Sequence, residues 1–478
     1  MRLRAGRSSD TAVVVLAGGK GSRFWPRSRP DRPKQFLALS PGAETLLQAT
    51  CRRARMIADG TPVRAVLPGI YRGPACEQVP ALTDHLILEP ASRDTAAAIA
   101  VAAWSVAAEA GPDTVVVFLP ADHYVPDEAA FAREVRRTVH EARRGGIWVL
   151  GLRAVRPEPA YGYIVPREAA ARTSRVAAFV EKPDPTRARA LVGSAALWNV
   201  GNVVARVDAL TAALRTCAPA IAFAAEEAVS GHATAYEQLS PLSFDYAVLE
   251  RSPEVYVARA AFPWDDVGTW TSLDRVVAPD AQGNIVSGPV VHQEVERTIL
   301  VNDDSERDLV ALGLSDVVCV VGDQGVLVAS KRAIAGLKSV QAALPVRAPR
   351  MGTVPLPSDA RVVDKPWGRE VWWAESEGYV AKVLEVRAGQ SLSLQYHERK
   401  HETALVFAGD GVAVLGDDYL ELAPGVRLEV PPGTVHRFSA GDDGLVLLEV
   451  STPEVEDVVR IEDSYGRADV PLVGGVAR

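Results

Sequence analysis

The sequence predicts an α/β unit followed by two smaller β-rich parts, and three observations carry that expectation. Apolar strand-like runs alternate with Ala-rich helical stretches through residues 12–150. Short Val/Ile runs separated by Gly, Asn and Asp follow from about residue 280. A third texture, short strands divided by Gly, Pro and Asp turns, begins after a stretch with four prolines at 344–361. Strands that are apolar on both faces and alternate with helices mean a mostly parallel sheet covered on both sides.

In order, AVVVLA (Ala12–Ala17) reads as a buried strand bounded by Gly. Thr95–Ala110 is rich in strong helix formers, and Thr114–Leu119 is a further apolar strand stopped by Pro120. Ile147–Leu152, Val176–Val180 and Glu254–Arg259 are strand candidates, completing a first domain at 1–278. Residues 279–343 form a short β-rich segment, read as a β-solenoid, with strands at Asn284–Val286, Thr298–Val301, Val317–Val321 and Val326–Ala329. The proline-rich stretch 344–361 reads as a linker. Within 362–478, strands at Val380–Val386, Ser391–Gln395, Ala404–Ala408, Gly411–Leu415, Arg427–Val430 and Leu445–Val450 predict a small sandwich or jelly roll.

The 478 residues suggest about three domains. Fifty-two Lys+Arg against 60 Asp+Glu, a net charge of −8, argue against a broad nucleic-acid-binding face but not against a local anion site. Cys51, Cys76, Cys217 and Cys319 show no C-x-x-C spacing, which fits a reducing compartment. The apolar run at 12–17 is too short for a signal-peptide core, and no run approaches a membrane span. The expectation is a cytoplasmic protein with no membrane partner.

The most informative stretch is LAGGKGSRFWPRSRPDRPKQF, Leu16–Phe36. A strand runs into a Gly-rich turn, then Arg23, then Lys34. Glycines let backbone N–H groups wrap phosphate oxygens, and the two cations supply the charge a polyphosphate needs. No G-K-[ST] closes the loop, so it is not a Walker A, and Phe24 and Trp25 exclude G-x-G-x-x-G. Asp122, in LPADHY just past an apolar strand, and Asp266, in WDDVG, are two separated carboxylates suited to one Mg²⁺ whose shell substrate phosphates complete.

These residues, together with ILEPASRDTAAAIA (Ile87–Ala100), YGYI (Tyr161–Ile164), FVEKPD (Phe179–Asp184), WNVGN (Trp198–Asn202), FDYAVLER (Phe244–Arg251) and WDDVGTW (Trp264–Trp270), resemble the long bacterial mannose-1-phosphate guanylyltransferases, in which a mannose-6-phosphate isomerase domain follows the transferase. The resemblance implies a Rossmann-like nucleotidyltransferase that joins GTP and mannose 1-phosphate to give GDP-mannose and pyrophosphate with Mg²⁺. It implies that Leu16, Gly18, Gly19, Gly21, Glu89, Arg93, Asp94 and Thr95 bind the nucleotide. Arg23 and Lys34 would act on its phosphates and Asp122 and Asp266 would hold Mg²⁺. Tyr161, Gly162, Glu181, Lys182, Asn199 and Asp245 would line the sugar-phosphate pocket. The family usually has Asn at 94 and Ser or Ala at 200, where this chain has Asp94 and Val200. The other readings are a relative using another nucleotide or sugar, and a sugar-nucleotide-sensing regulatory protein with a silent C-terminal part.

Towards the C-terminus, KPWGRE, LSLQYH, PPGTVHRF and IEDSYGR resemble the type II mannose-6-phosphate isomerase cupin. This implies a jelly roll that interconverts fructose 6-phosphate and mannose 6-phosphate on Zn²⁺ or another divalent metal. His397, Glu402 and His436 match the ligands, with His401 a substitute candidate. Arg399 stands where the family has a second His, Lys400 where it has Arg, and Thr403 where it has a further His. A cation at 399 would oppose the metal unless it turned away. Hexose 6-phosphates are therefore conditional partners, and a homo-oligomer is left open.

Overall fold

The computed structural model describes residues 11–19, 21–39, 44–322, 324–341 and 361–467. The chain divides into two compact units, Met1–Ala343 and Leu344–Arg478. The proline-rich stretch 344–361 lies, apart from Arg361, outside the described residues. No helix among the described residues is long and apolar enough to cross a membrane.

The first unit is built on a nine-stranded sheet: β1 (Thr11–Leu16), β2 (Val63–Pro68), β3 (Leu86–Glu89), β4 (Val115–Pro120), β5 (Ile147–Arg153), β6 (Tyr163–Pro166), β7 (Thr173–Val180), β8 (Leu197–Arg206) and β9 (Val255–Ala260). Their spatial order is β3-β2-β1-β4-β8-β5-β9-β7-β6. β1 runs parallel to β2 and β4, β2 to β3, and β5 to β9; only β7 and β8 run against the rest. Successive residues of β1 point to opposite faces. Ala12 and Val14 meet the Ala-rich helix Asp94–Ala110, whereas Val13 and Val15 meet Leu46–Ile57 and Glu128–Ala142. This double coverage is why those strands read as unbroken apolar runs. β8 escapes a sequence reading because Asn199, Gly201 and Asn202 interrupt its apolar pattern, and Asn199 and Gly201 are the residues that face the cavity described below.

Within the same unit, residues 285–330 form two stacked ladders. β10 (Ile285–Ser287), β12 (Ile299–Asn302) and β14 (Val317–Gly322) pair in parallel, closed by antiparallel β15 (Gly325–Ser330); β11 (Val290–Gln293) pairs with β13 (Leu309–Leu312). This is a short β-solenoid. Its inner residues Ile285, Ile299, Val301, Val318 and Val320 share a core with Phe24, Leu37, Val267 and Trp270. The solenoid thus backs the two loops that carry Lys34 and Asp266. Trp270 is fully buried, its ring centroid lies 5.0 Å from that of Phe24, and its indole N–H donates to Trp25 O at 3.0 Å.

The second unit is a β jelly roll of β16 (Arg361–Lys365), β17 (Gly368–Glu375), β18 (Val380–Val386), β19 (Leu394–Tyr396), β20 (Glu402–Leu415), β21 (Asp418–Leu422), β22 (Arg427–Val430), β23 (His436–Ser451) and β24 (Val459–Glu462). The two runs expected at 404–408 and 411–415 are one bulged strand, with register shifts at Val406/Ala408 and Gly409/Gly411. Bulges absorb the Gly-Asp-Gly that reads as a turn. The run expected at 445–450 is the end of the 16-residue β23.

Trp270→Ala should destabilise the first unit by about 3–5 kcal/mol and speed hydrogen exchange in both loops it backs. A urea midpoint within error of wild type would contradict this packing.

Candidate active site

A cavity of about 410 Å³ opens beyond the carboxyl ends of β1 and β4, the edge where open α/β sheets bind ligands. Ten of the sequence-selected residues line it: Leu16, Gly18, Gly19, Glu89, Asp94, Thr95, Asp122, Lys182, Asn199 and Asp245. Asp94 and Thr95 open the helix Asp94–Ala110, where Thr95 N donates to Asp94 Oδ1 at 2.6 Å and Ala96 N to Leu242 O at 3.1 Å. Asp94 has φ +68°, a conformation that Asn and Asp tolerate best among residues with a Cβ, so Asp94 keeps the backbone shape that the family's Asn would give.

The glycine turn fits tightly round its neighbours. A Cβ on Gly18 would sit 2.9 Å from Glu89 Oε2, and one on Gly21 (φ +53°) would sit 2.4 Å from Lys34 N. Lys34 is thereby seated against the turn, buried, on the short turn Lys34–Phe36 anchored by the buried Phe36. Its ammonium donates to Asp122 Oδ2 at 2.9 Å and, closer still, to the Asp266 carbonyl. Burial works against ionisation of Asp122, but the charge on Lys34 outweighs it and holds the carboxyl below its usual range. Asp266 Oδ1 accepts from the Tyr161 hydroxyl at 2.9 Å and from Gly268 N at 3.2 Å. Burial, and then the Asp266 and Asp265 charges, keep the Tyr161 phenol protonated. One ammonium therefore ties the Asp122 carboxylate to the backbone of Asp266, whose own carboxylate turns to Tyr161; these are the two carboxylates singled out for Mg²⁺. Each keeps an oxygen outside these hydrogen bonds, and this hard-oxygen donor set fits that ion.

Deeper in, Glu89 accepts from the Tyr236 hydroxyl at 2.8 Å. Burial pushes its carboxyl from 4.5 up to about 7, against the Tyr236 hydrogen bond and with help from Asp94. Asp245 accepts from Asn199 Nδ2 at 3.0 Å and is likewise raised to about 7, by burial and then by Glu181. Lys182 pairs with Glu181 at 2.6 Å, and Gly162 lies beside Glu181 and Asn199.

Eight selected residues do not line the cavity; Gly21, Lys34, Tyr161, Gly162, Glu181 and Asp266 are tied to it through the contacts above, whereas Arg23 and Arg93 are not. Arg23 is exposed on the turn Ser22–Phe24: burying Phe24 under Trp270 turns the preceding side chain outward. Arg93 instead donates to the Glu237 carbonyl. Sequence reading passed over Gln35, whose amide donates to Ala17 O at 2.7 Å and Gly19 O at 2.9 Å and so fixes the glycine turn; its signal lay in PKQF. It also passed over Asp265, held by Arg275 Nε at 2.5 Å and by Val267 N at 2.8 Å, which sets the loop and leaves the Asp266 carbonyl facing Lys34. Tyr236, in ATAYEQ, carries no motif at all.

In the second unit, His397, Glu402 and His436 converge as expected, their ligand atoms all within 4.8 Å of one another. His436 Nδ1 lies 3.0 Å from Thr434 O, and His397 Nδ1 contacts Asp457 O, which turns both Nε2 atoms inward. His397 Nε2 lies 3.0 Å from Glu402 Oε1. Burial holds His436 below its usual range. The imidazoles suit a metal as metal-bound histidines do. The charge does not. Arg399, the cation expected beside the site, is exposed; Lys400 points inward instead, and its ammonium contacts Glu402, the single anionic ligand. His401 is not the substitute ligand, for it faces Glu429 at 3.3 Å.

The nucleotidyl transferase family model matches residues 12–283, and that of the mannose-6-phosphate isomerase C-terminal domain matches 358–463. The chain belongs to the nucleotidyl transferase family, in the two-part form that ends in that second domain, and is an enzyme of that class. Among its relatives, the mannose-1-phosphate guanylyltransferase of Escherichia coli is 34% identical across 95% of this chain and 98% of its own. The xanthan biosynthesis protein XanB of Xanthomonas campestris is 34% identical across 96% and 100%, and the alginate biosynthesis protein AlgA of Pseudomonas aeruginosa 32% across 97% and 99%. A solved structure from Thermus thermophilus, titled mannose-1-phosphate geranyltransferase, aligns with TM-score 0.63 and 34% identity over 70% of this chain and 99% of its own. Nucleotidyl transferases and cupin isomerases as classes use divalent metals.

Since the folded protein holds the Glu89 proton more tightly than the unfolded chain, that contribution to stability is complete below about pH 4.5 and is lost as the pH rises through about 7. Urea midpoints of the wild type should therefore fall across this window relative to Glu89→Gln. Parallel pH profiles would show that Glu89 is not buried in this way.

Proposed function

We propose that the first unit transfers GMP from GTP to mannose 1-phosphate, releasing pyrophosphate and forming GDP-mannose. The observation that carries this reading is the Lys34 ammonium joining Asp122 and the Asp266 loop beside a cavity that a glycine turn and a helix N-terminus also border. A sugar phosphate and a nucleoside triphosphate are both polyanions. Each pair of unit charges 4 Å apart repels by about 4 kcal/mol at an effective dielectric of 20. Bringing them together is the main obstacle, and these groups oppose it.

A phosphate oxygen of mannose 1-phosphate attacks the α-phosphorus of GTP; the new P–O bond forms as the bond to the β-phosphate bridging oxygen breaks, and that oxygen leaves on pyrophosphate. The attacking oxygen is already ionised, so no general base is needed, and catalysis is positioning plus charge neutralisation. The backbone around Gly18 and Gly19, fixed by Gln35, cradles the triphosphate with Thr95. Glu89, held by Tyr236, meets the base. Tyr161, Glu181, Lys182, Asn199 and Asp245 hold the sugar phosphate. Asp122 and Asp266 would hold Mg²⁺, which when bound adds positive charge to the phosphate oxygens. Arg23 acts only on polyphosphate that protrudes beyond the cavity. The names of the xanthan and alginate relatives support a role in supplying a sugar nucleotide for polysaccharide synthesis. In the second unit the Lys400 ammonium shares the Glu402 carboxylate that a divalent metal would use for fructose 6-phosphate–mannose 6-phosphate interconversion.

Purified protein given mannose 1-phosphate should release pyrophosphate from GTP far faster than from ATP, dTTP or UTP; a preference for any of the other three overturns the reading. Asp266→Asn should lower Mg²⁺-dependent turnover at least ~10²-fold, the scale of losing one major electrostatic contact, and near-wild-type turnover would remove Asp266 from the site. Lys34→Ala should cut transfer on a similar scale with an unchanged circular dichroism spectrum, and unaltered kinetics would remove Lys34 as well.

A further inference from the structure

The inner face of the C-terminal jelly roll carries a cluster of charges that transfer chemistry does not use. Strand alternation puts Lys382 of β18, Glu402 of β20 and Glu449 of β23 on the same faces as the core residues Leu384, Ala404 and Leu447. Lys400 enters from just before β20. All four are buried. The Lys400 ammonium donates to Glu402 Oε1 and, at 3.1 Å, to Glu449 Oε1. Lys382 Nζ lies 3.6 Å from the same Glu449 oxygen and 4.4 Å from the centre of the Trp372 ring. On the other side, Glu402 Oε1 is 3.0 Å from His397 Nε2 and Oε2 is 3.4 Å from His436 Nε2.

The two lysines and two glutamates balance one another in formal charge. Buried charge is tolerated when it is paired and hydrogen-bonded, and this cluster is paired without outside help. A divalent ion between His397, Glu402 and His436 would leave two uncompensated positive charges in the interior. It would also meet the Lys400 ammonium at the carboxylate oxygen it needs. We propose that Lys400 supplies, from within the chain, the positive charge that a metal would otherwise bring to Glu402, so that the second unit is a metal-free cupin. Its interior then offers no bound metal to polarise a sugar carbonyl. On the guanylyl-transfer reading, the hexose phosphate that becomes mannose 1-phosphate must come from a separate aldose–ketose isomerase. The charge argument itself does not depend on that reading.

The test counts metal in the full-length protein. Wild type and His397→Ala are loaded with Zn²⁺, dialysed, and compared for zinc per chain and for unfolding temperature with and without EDTA. The expectation is equal zinc in both proteins and a wild-type unfolding temperature that EDTA does not change. One zinc per chain that His397→Ala loses, or a fall in unfolding temperature on chelation, overturns the proposal. Lys400→Gln removes the internal charge, so it should bind Zn²⁺ at least ~10-fold tighter than wild type and gain unfolding temperature with it; unchanged zinc affinity overturns the proposal too. Should that variant not fold, the wild-type comparison still decides. Pyrophosphate release from GTP, measured on the same wild-type sample, reports the first unit separately, and its absence would sink the transfer reading while leaving the zinc result standing.

Discussion

A buried ammonium is costly unless opposite charge and hydrogen-bond acceptors surround it, and Lys34 meets that condition by gathering the active site of the first unit around itself. It takes the Asp122 carboxylate from the end of β4 and the Asp266 carbonyl from a loop more than two hundred residues further on. Gly21 leaves room for its backbone, Phe36 anchors its turn, and the solenoid core under Trp270 supports both loops. The same contact holds Asp122 ionised. The fold thus stores, in one ion pair, the charges that polyanionic substrates would meet, and it pairs them with each other until a ligand arrives.

The deeper end of the cavity follows the opposite rule. Glu89 and Asp245 are carboxyls whose burial raises both to about 7, for Asp245 in spite of the nearby Lys182. Such groups suit hydrogen bonding to a neutral base and to sugar hydroxyls rather than to phosphate. In the second unit, lysines and glutamates again neutralise one another, but there the balance closes inside a barrel where a metal would otherwise have stood.

The motifs around Gly18, Lys34, Asp122 and Asp266 were legible because each is a local pattern, a glycine turn with cations after an apolar run or an acid just past a strand, whereas Glu89 came only from the family resemblance. The direction and full length of β8 were not, since the polar residues that serve the cavity erase its apolar pattern. Tyr236 could not have been picked out, because its importance lies in reaching Glu89 across 147 positions of sequence. Arg23 and Lys34 look alike in sequence, yet the packing of Phe24 turns the first outward and Gly21 seats the second.

By itself, the sequence determined the chemical inventory: an α/β unit with a phosphate turn and two acids, a short solenoid, and a histidine-bearing jelly roll. Those follow from residue type and short-range spacing, which fix backbone preference and burial period. Which cation faces which carboxylate was decided only by the tertiary structure. Arg399 or Lys400 beside Glu402, and Asp265 or Asp266 paired with Arg275, differ by one position along the chain; on a strand or a tight loop one step sends a side chain to the opposite side, and only packing against distant elements chooses the side.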